Sequence, residues 1–151
     1  MNLLLKNSIK NYVSQLPMKD CLSVTLTMKQ VVNKEYLDDI SSETNFRHFI
    51  NLLNKQVYGN AHKRFKKSIS VLPILEKSSD NRFHYHLLLE QPKQIQREVY
   101  ELMIVDCWKK TKFGYNQIDI RNIYSDGWVH YITKFVSDVD TVDWENHHWN
   151  R

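Results

Sequence analysis

The amino-acid sequence predicts an α+β fold in which helices pack on a central antiparallel β-sheet of about four to five strands. Short segments that alternate polar and apolar residues, as half-buried strands do, separate longer segments with apolar residues at helical spacing. Two strand-like segments are joined by a short polar loop, which indicates a hairpin and therefore antiparallel pairing. The predicted order of elements is α-β-α-β-β-α-β-α, which suits helices packed on one antiparallel sheet.

The first three predicted elements are a helix, a strand and a helix. Apolar residues at helical spacing over residues 3–16 end before Pro17 and predict an amphipathic helix. Residues 21–28 alternate apolar and polar side chains, as a half-buried strand does. Ser42 supplies an N-cap for a long helix that runs to about Tyr58, and Gly59 then ends or bends the chain. The apolar stripe of this helix consists of Phe46, Phe49, Ile50, Leu53 and Val57.

The remaining predicted elements are a hairpin, a helix, a strand and a last helix. Residues 68–76 and 83–89 are the two apolar strands of the hairpin. Residues 94–110 predict a helix, and residues 115–123 alternate again as a strand does. Ser125 or Asp126 can cap a final helix that runs from near Gly127 to about Val136. We expect the helix over residues 94–110 to bury one side that includes Ile95, Val99, Leu102, Met103 and Asp106 or Cys107.

Length and composition fit one domain over residues 1–151, with an N-terminal helix within residues 1–18 and a C-terminal tail over residues 137–151. We expect that tail to pack on the body of the domain. The formal net charge of +4 permits a polyanionic partner without requiring one. Cys21 and Cys107 lie among apolar residues and are expected to be reduced, buried thiols. No segment approaches membrane length, so we expect no membrane partner and a cytoplasmic location.

His84 and His86 lie two residues apart on a predicted strand, so both imidazoles project from the same face. Glu76 ends the strand across the hairpin, and Glu90 lies on the same strand face as the histidines. Two nitrogens and one carboxylate oxygen leave positions open on an octahedral ion, which suits Mg²⁺ or Mn²⁺. We expect His84, His86 and Glu76 to bind such an ion, with Glu90 as the competing carboxylate.

Tyr131 and Lys134 lie three residues apart on the last predicted helix and therefore share one face. A phenolate can attack a phosphorus atom in line. A nearby cation and a metal lower the cost of forming that phenolate at neutral pH, because free tyrosine has a pKa of about 10. The pair therefore indicates a nucleophile, Tyr131, with a cation, Lys134, beside it.

In this order, the strand over residues 22–27, His84-Tyr85-His86 and Tyr131-Ile132-Thr133-Lys134 resemble motifs one, two and three of the HUH endonucleases, specifically the rolling-circle replication initiators (Rep proteins). The resemblance covers about residues 21–135. It implies a Rep/HUH fold with a ferredoxin-like or RRM-like sheet, two metal-binding histidines, often a neighbouring glutamate, a tyrosine nucleophile and a phosphate-positioning lysine. A single tyrosine that follows the histidines is typical of Rep proteins and of single-tyrosine transposases.

The resemblance implies metal-dependent nicking and rejoining of single-stranded DNA at a replication origin, including one folded as a stem-loop. A 5′-phosphotyrosine and a free 3′-OH would initiate and terminate rolling-circle replication of a virus, phage or plasmid. No helicase region is present within residues 1–151, so we expect unwinding by a host helicase or by a region outside this sequence, with a host polymerase as a further partner, and a homodimer is compatible with the sequence. The alternatives are a single-tyrosine transposase, a non-catalytic nucleic-acid-binding module and a structural zinc protein that uses His84, His86, Cys107 and His147 or His148.

Two basic runs with an aromatic residue beside them are further candidates for DNA contact. Cations that follow a DNA backbone and aromatic rings that stack on bases are the usual pair of features in such surfaces. The first run surrounds Phe65 and the second precedes Phe113. Their candidate DNA-binding residues are Lys63, Arg64, Lys66, Lys67, Lys109, Lys110 and Lys112.

Overall fold

The computed structural model describes residues 3–77, 82–123, 127–134, 136 and 141–150, and it confirms the α+β class. A four-stranded antiparallel sheet carries helices on both faces. In chain order the elements are α1 (Leu3–Gln15), β1 (Cys21–Met28), β2 (Val31–Val32), β3 (Glu35–Tyr36), α2 (Asp39–Tyr58), α3 (Asn60–Phe65), β4 (Val71–Lys77), β5 (Phe83–Glu90), α4 (Arg97–Lys109), β6 (Gly114–Asn122) and α5 (Gly127–Thr133).

The strands of the sheet lie in the order β4-β5-β1-β6. The predicted hairpin of β4 and β5 is confirmed, with Glu76 paired to His84. On the other side of β5, His86 pairs with Thr25 of β1, and Thr25 in turn pairs with Asp119 of β6. These pairings set side by side the polar residues that alternate along each strand.

One face of the sheet is closed by α2 and α4, whose aromatic and aliphatic residues pack on Val24, Leu26 and Tyr85. The other face is only partly closed. There α1, α5 and the C-terminal segment (residues 141–150) pack on Leu72, Ile74 and Leu88. The remaining part of this second face carries histidine, threonine and carboxylate side chains, and it is the part that holds the candidate site.

The predicted cap of helix α2 is wrong, and the predicted caps of the last helix are untested. Helix α2 begins at Asp39, and its cap is Asp38, which exchanges hydrogen bonds with Ser41 in a capping box. Ser42, the predicted cap, is instead buried within the helix. The predicted caps of the last helix, Ser125 and Asp126, lie outside the described residues.

The buried side of α4 also differs from the prediction. Tyr100, Ile104, Cys107 and Trp108 are buried, whereas Val99 and Leu102 are exposed. The reason is that two aromatic residues pack in the core and also satisfy backbone carbonyls there. The Tyr100 hydroxyl donates to the Glu90 carbonyl at 2.7 Å, and the Trp108 indole donates to the Thr27 carbonyl at 2.8 Å.

The small β2–β3 hairpin and the short helix α3 are absent from the sequence prediction. Asn33 and Lys34, which connect β2 and β3, both have positive φ. The turn that they form lacks the glycine that usually identifies such a hairpin. Gly59, with φ of 56°, separates α2 from α3 and provides the predicted bend.

The C-terminal segment runs along the outer edge of β4, as expected for a tail that packs on the body. Val71 and His148 exchange two backbone hydrogen bonds, and the Asp143 amide donates to the Pro73 carbonyl at 2.9 Å. Trp149 is partly buried in the second core, while Trp144 remains 42% exposed. The segment therefore covers an edge that would otherwise leave strand hydrogen bonds unmade. Among the described residues, no helix has the length and apolar character needed to cross a membrane.

Candidate active site

Glu76, His84 and His86 form a cluster at the end of the β4–β5 hairpin. His86 Nε2 lies 3.3 Å from one carboxylate oxygen of Glu76, and His84 Nδ1 lies 3.9 Å from the other. Strand alternation puts both imidazoles on one face, and the hairpin register puts the carboxylate directly beside them. Thr25 Oγ1 lies 3.4 Å from Nδ1 of His86, on the side away from Glu76.

Burial determines the charge in this cluster. It lowers the pKa of His86 to about 4, and the electrostatic effects of His84 and Lys134 act in the same direction. Burial also raises the pKa of Glu76, against the opposing effect of His84 and Lys134. His86 is therefore a neutral imidazole near neutral pH, which is the form that binds metal ions. Its contact with Glu76 is accordingly not an ion pair.

Two buried atoms of the cluster, Glu76 Oε2 and His84 Nδ1, make no hydrogen bond within the described part of the chain. Leaving such atoms without a partner costs about 1–3 kcal/mol each. Neighbouring ligands of an octahedral ion at about 2.1 Å lie about 3 Å apart. The 3.3 Å between His86 and Glu76 is close to that spacing. The donor set thus fits a hard divalent ion.

The third donor, His84, lies farther from Glu76 than His86 does. Across the described residues, no group of three His, Cys, Asp or Glu side chains is close enough together to hold a metal ion. Within the cluster the wider contact is the one between His84 and Glu76, at 3.9 Å.

Tyr131 and Lys134 lie beside this cluster. The Tyr131 ring meets the His86 ring edge to face, with centroids 6.4 Å apart. Lys134 Nζ lies 4.8 Å from the centroid of the Tyr131 ring, and the tyrosine side chain is 42% exposed. The structure therefore brings together all five of the predicted catalytic and metal-binding residues, although they come from three separate elements and the residue after α5.

The position of Tyr131 follows from the packing of α5. Trp128 and Val129 are buried in the second core, where α5 lies against α1. The Thr133 hydroxyl is also buried and donates to the Val129 carbonyl at 2.6 Å. With this side of the helix held in the core, Tyr131 lies on the opposite, open side, toward the polar part of the sheet.

The competing carboxylate, Glu90, lies at the other end of β5. It pairs with Cys21, whereas His84 pairs with Thr27, six residues further along β1, so about 20 Å separates them. One Glu90 carboxylate oxygen accepts a hydrogen bond from the Ser70 amide at 2.8 Å. The structure places Glu76 beside the histidines and gives Glu90 a role in the backbone around the start of β4.

The residues of the zinc alternative are not brought together. Cys107 is buried in the core on the opposite face of the sheet. His147 lies by α1, where its ring contacts the Tyr12 hydroxyl at 2.5 Å and the Val71 carbonyl at 3.0 Å. The histidine pair, Cys107 and His147 therefore occupy three separate regions of the fold.

The two basic runs lie outside the cluster. The run of α3, with Lys63, Arg64, Lys66 and Lys67 exposed around Phe65, precedes the start of β4, while Glu76 is near the end of that strand. This separation is about 17 Å along the strand.

The second run is nearer to the site end of the sheet, but part of its charge is neutralised. Lys110 pairs with Asp106 at 2.9 Å, and Lys112 pairs with Glu35, while Lys109 is exposed. A pairing of this kind weakens an exposed lysine as a phosphate ligand, since the carboxylate competes for the same ammonium group.

A groove beside Tyr131 contains residues that the sequence analysis did not identify. Its volume is about 270 Å³, and it lies between β1, β6 and the start of α5. Asp119 and Arg121 of β6 contribute to it. Alternation along residues 115–123 puts these two side chains on one face, but nothing in the local pattern indicates that β6 pairs with β1.

Comparison with known proteins identifies the family. The model of a family of replication-associated proteins, the ORF2 family, matches residues 21–140, which is most of the chain. No curated protein and no solved structure matches the sequence. The matched range includes the histidine pair, Glu76, Tyr131 and Lys134. The chain therefore belongs to the ORF2 family of replication-associated proteins.

Proposed function

We propose that this protein nicks and rejoins single-stranded DNA, with Tyr131 as the nucleophile, to initiate and terminate rolling-circle replication of a virus, phage or plasmid. The observation that carries the proposal is the position of Tyr131 and Lys134 beside the Glu76, His84 and His86 cluster. Membership of a replication-associated family favours a replication origin as the target over a transposon end.

A divalent ion, Mg²⁺ or Mn²⁺, held by His84, His86 and Glu76, would supply positive charge to a phosphate oxygen. The neutral state of His86 and the buried, unbonded atoms of Glu76 and His84 support this assignment. Tyr131 is 42% exposed and lies on the open side of the cluster, where a DNA strand would have access to it.

The reaction is a transesterification. The Tyr131 oxygen forms a bond to the scissile phosphorus and its phenolic proton passes to solvent, while the bond from phosphorus to the 3′-oxygen breaks and that oxygen leaves with a proton as a 3′-OH. One phosphodiester replaces another, so the step is nearly neutral in energy and a 3′-OH can reverse it. We expect Lys134, whose Nζ lies 4.8 Å from the centroid of the tyrosine ring, to bind the reacting phosphate and to favour the phenolate.

The test uses Mn²⁺ and a library of labelled single-stranded DNA, followed by a denaturing gel and sequencing of the strands that remain attached to the protein. We expect the native chain to form a covalent adduct and Tyr131→Phe to form none while it retains DNA binding. Tyr115→Phe is the matched control, because Tyr115 is also 42% exposed but lies on β6. An adduct that persists in Tyr131→Phe would contradict the proposal. DNA binding without any adduct in the native chain would favour the non-catalytic module.

The metal assignment is tested separately by measuring Mn²⁺ affinity without DNA, by calorimetry or electron paramagnetic resonance. We expect Glu76→Gln to weaken binding by about tenfold or more, since a ligand is lost. The control is Glu90→Gln, at the other end of β5 on the same face as the histidines. Its amide oxygen can still accept from the Ser70 amide, and we expect this variant to bind Mn²⁺ as the native chain does. Equal affinities in the two variants would show that Glu76 is not a ligand.

A further inference from the structure

The groove beside Tyr131 has a polar lining on the face of the sheet that carries the histidines. Strand β1 contributes two hydroxyls, strand β6 contributes an ion pair, and α5 contributes aromatic side chains. These lining residues include Ser23, Thr25, Asp119, Arg121, Trp128 and Tyr131. Such a lining, with hydroxyls and a guanidinium beside an aromatic wall, suits a nucleotide better than an apolar ligand.

Arg121 is the cation of this groove. Its Nε donates to the Asp119 carboxylate at 2.8 Å, because residues two apart on a strand project from the same face. That bond uses one N–H of the guanidinium, which has five. The side chain is 76% exposed, so the remaining donors face a ligand that enters from solvent. Asp119 therefore orients Arg121 without covering it.

The groove and the metal-binding cluster occupy adjacent parts of the same surface. His86, Thr25 and Asp119 lie in one row across three strands, and Ser23 and Arg121 lie in a neighbouring row. With about 4.8 Å between strands, Asp119 is about 10 Å from His86. Tyr131 lies between the two regions, because it contacts His86 and also lines the groove. The pKa of Arg121, raised mainly by Asp119, is also raised by Tyr131, which agrees with this proximity.

We infer that the groove is a nucleotide-binding subsite in which Arg121, oriented by Asp119, binds the DNA phosphate next to the scissile one. Ser23 and Thr25 face the sugar and base of the same nucleotide. The inference rests on the proposed function, because it takes Tyr131 as the point where the scissile phosphate lies. A DNA strand that runs from the cluster past Tyr131 then continues along the groove toward β6.

The experiment measures DNA binding without the reaction. Each variant is made in the Tyr131→Phe background, in EDTA, and fluorescence anisotropy gives the Kd for a fluorescein-labelled oligo(dT)20 across a range of NaCl concentrations. We expect Arg121→Gln to raise the Kd by about tenfold at low salt. The slope of log affinity against log salt should become shallower by about 0.7, the value for one phosphate contact on a single strand.

Two further variants separate the charge of Arg121 from a structural effect. Arg121→Lys keeps the positive charge and is expected to keep the native salt slope. Lys55→Gln removes one charge from an exposed residue of α2, on the opposite face of the sheet, and is expected to change neither Kd nor slope. Thermal unfolding should be the same in all of them, since these side chains lie at the surface.

An Arg121→Gln variant with the Kd and salt slope of Lys55→Gln would overturn the subsite. So would a loss of slope in Arg121→Lys, because the charge is then not what binds. Neither result bears on the nucleophile, since the measurement uses no metal and no reactive tyrosine. Conversely, a covalent adduct in Tyr131→Phe would refute the proposed nucleophile and leave the binding result for Arg121 as it stands.

Discussion

The hydrogen bond between Tyr85 and Asp143 joins the core of the sheet to the C-terminal segment, and Tyr85→Phe is the change that removes it. The Tyr85 hydroxyl donates to the Asp143 carboxylate at 2.9 Å, and both residues are buried. The Tyr85 ring packs on Phe46, with centroids 4.6 Å apart. Phenylalanine keeps this packing, so the variant isolates the hydrogen bond.

The expected loss follows from the acceptor. A hydrogen bond to a charged group contributes about 1.5–3 kcal/mol. The same carboxylate oxygen also accepts from the Asn146 amide at 2.7 Å, so it keeps one partner in the variant. We therefore expect Tyr85→Phe to lower the free energy of unfolding by about 2 kcal/mol.

Two other tyrosines provide matched controls. Tyr100 is equally buried, but its hydroxyl donates to a neutral carbonyl, that of Glu90, so Tyr100→Phe should cost about 1 kcal/mol. Tyr115 is exposed, and Tyr115→Phe should stay within about 0.5 kcal/mol of the native chain. Urea unfolding followed by circular dichroism measures all three, with unchanged m-values. If Tyr85→Phe lowers the free energy of unfolding by less than Tyr100→Phe does, the hydrogen bond to Asp143 is not stronger than one to a neutral carbonyl.

Further predictions concern a close contact and the response to alkali. Gly114→Ala should lower the free energy of unfolding by more than about 2 kcal/mol, since the new Cβ would lie 1.9 Å from the Trp108 carbonyl oxygen. Gly59→Ala has open space but a φ of 56° with ψ of −133°, so it should cost about 1–3 kcal/mol from backbone strain in the same urea assay, and native stability in Gly114→Ala would count against the steric clash. Burial and Asp143 raise the pKa of Tyr85, so the native state keeps a proton that unfolded tyrosine releases near pH 10. This stabilisation is complete below about pH 10 and decreases above it, and Tyr85→Phe should reduce the alkaline slope by up to about 1.4 kcal/mol per pH unit. A slope equal to that of the native chain would argue against a neutral, buried Tyr85.

The sequence supports correct predictions where one element contains the whole pattern. Alternation identifies β1, and the buried stripe of α2, from Phe46 to Leu53, agrees with its helical spacing. The pattern fails in α4, where two overlapping sets of apolar residues compete for the core. There Tyr100 and Trp108 are buried because each has a carbonyl within reach on another element, which the helix itself does not reveal.

For the candidate site the same distinction holds. The side chains of His84 and His86 share a face because a strand has a period of two residues. Tyr131 and Lys134 share one because residues three apart are neighbours on a helix with about 3.6 residues per turn. Glu90 is on the correct face by parity, but six residues of the same strand, about 20 Å, separate it from His84 in any register. The contact between Glu76 and the histidines depends on the register of the hairpin, which local sequence does not specify.

Local periodicity is enough to predict which side chains project together from each strand or helix, and the order of motifs indicates the chemistry. Which of these faces meet depends on the tertiary structure. The order β4-β5-β1-β6 puts Arg121 beside the groove, and the packing of α5 on α1 turns Tyr131 toward His86. Both depend on contacts between residues far apart in the chain, whose free energy comes from burying a shared core.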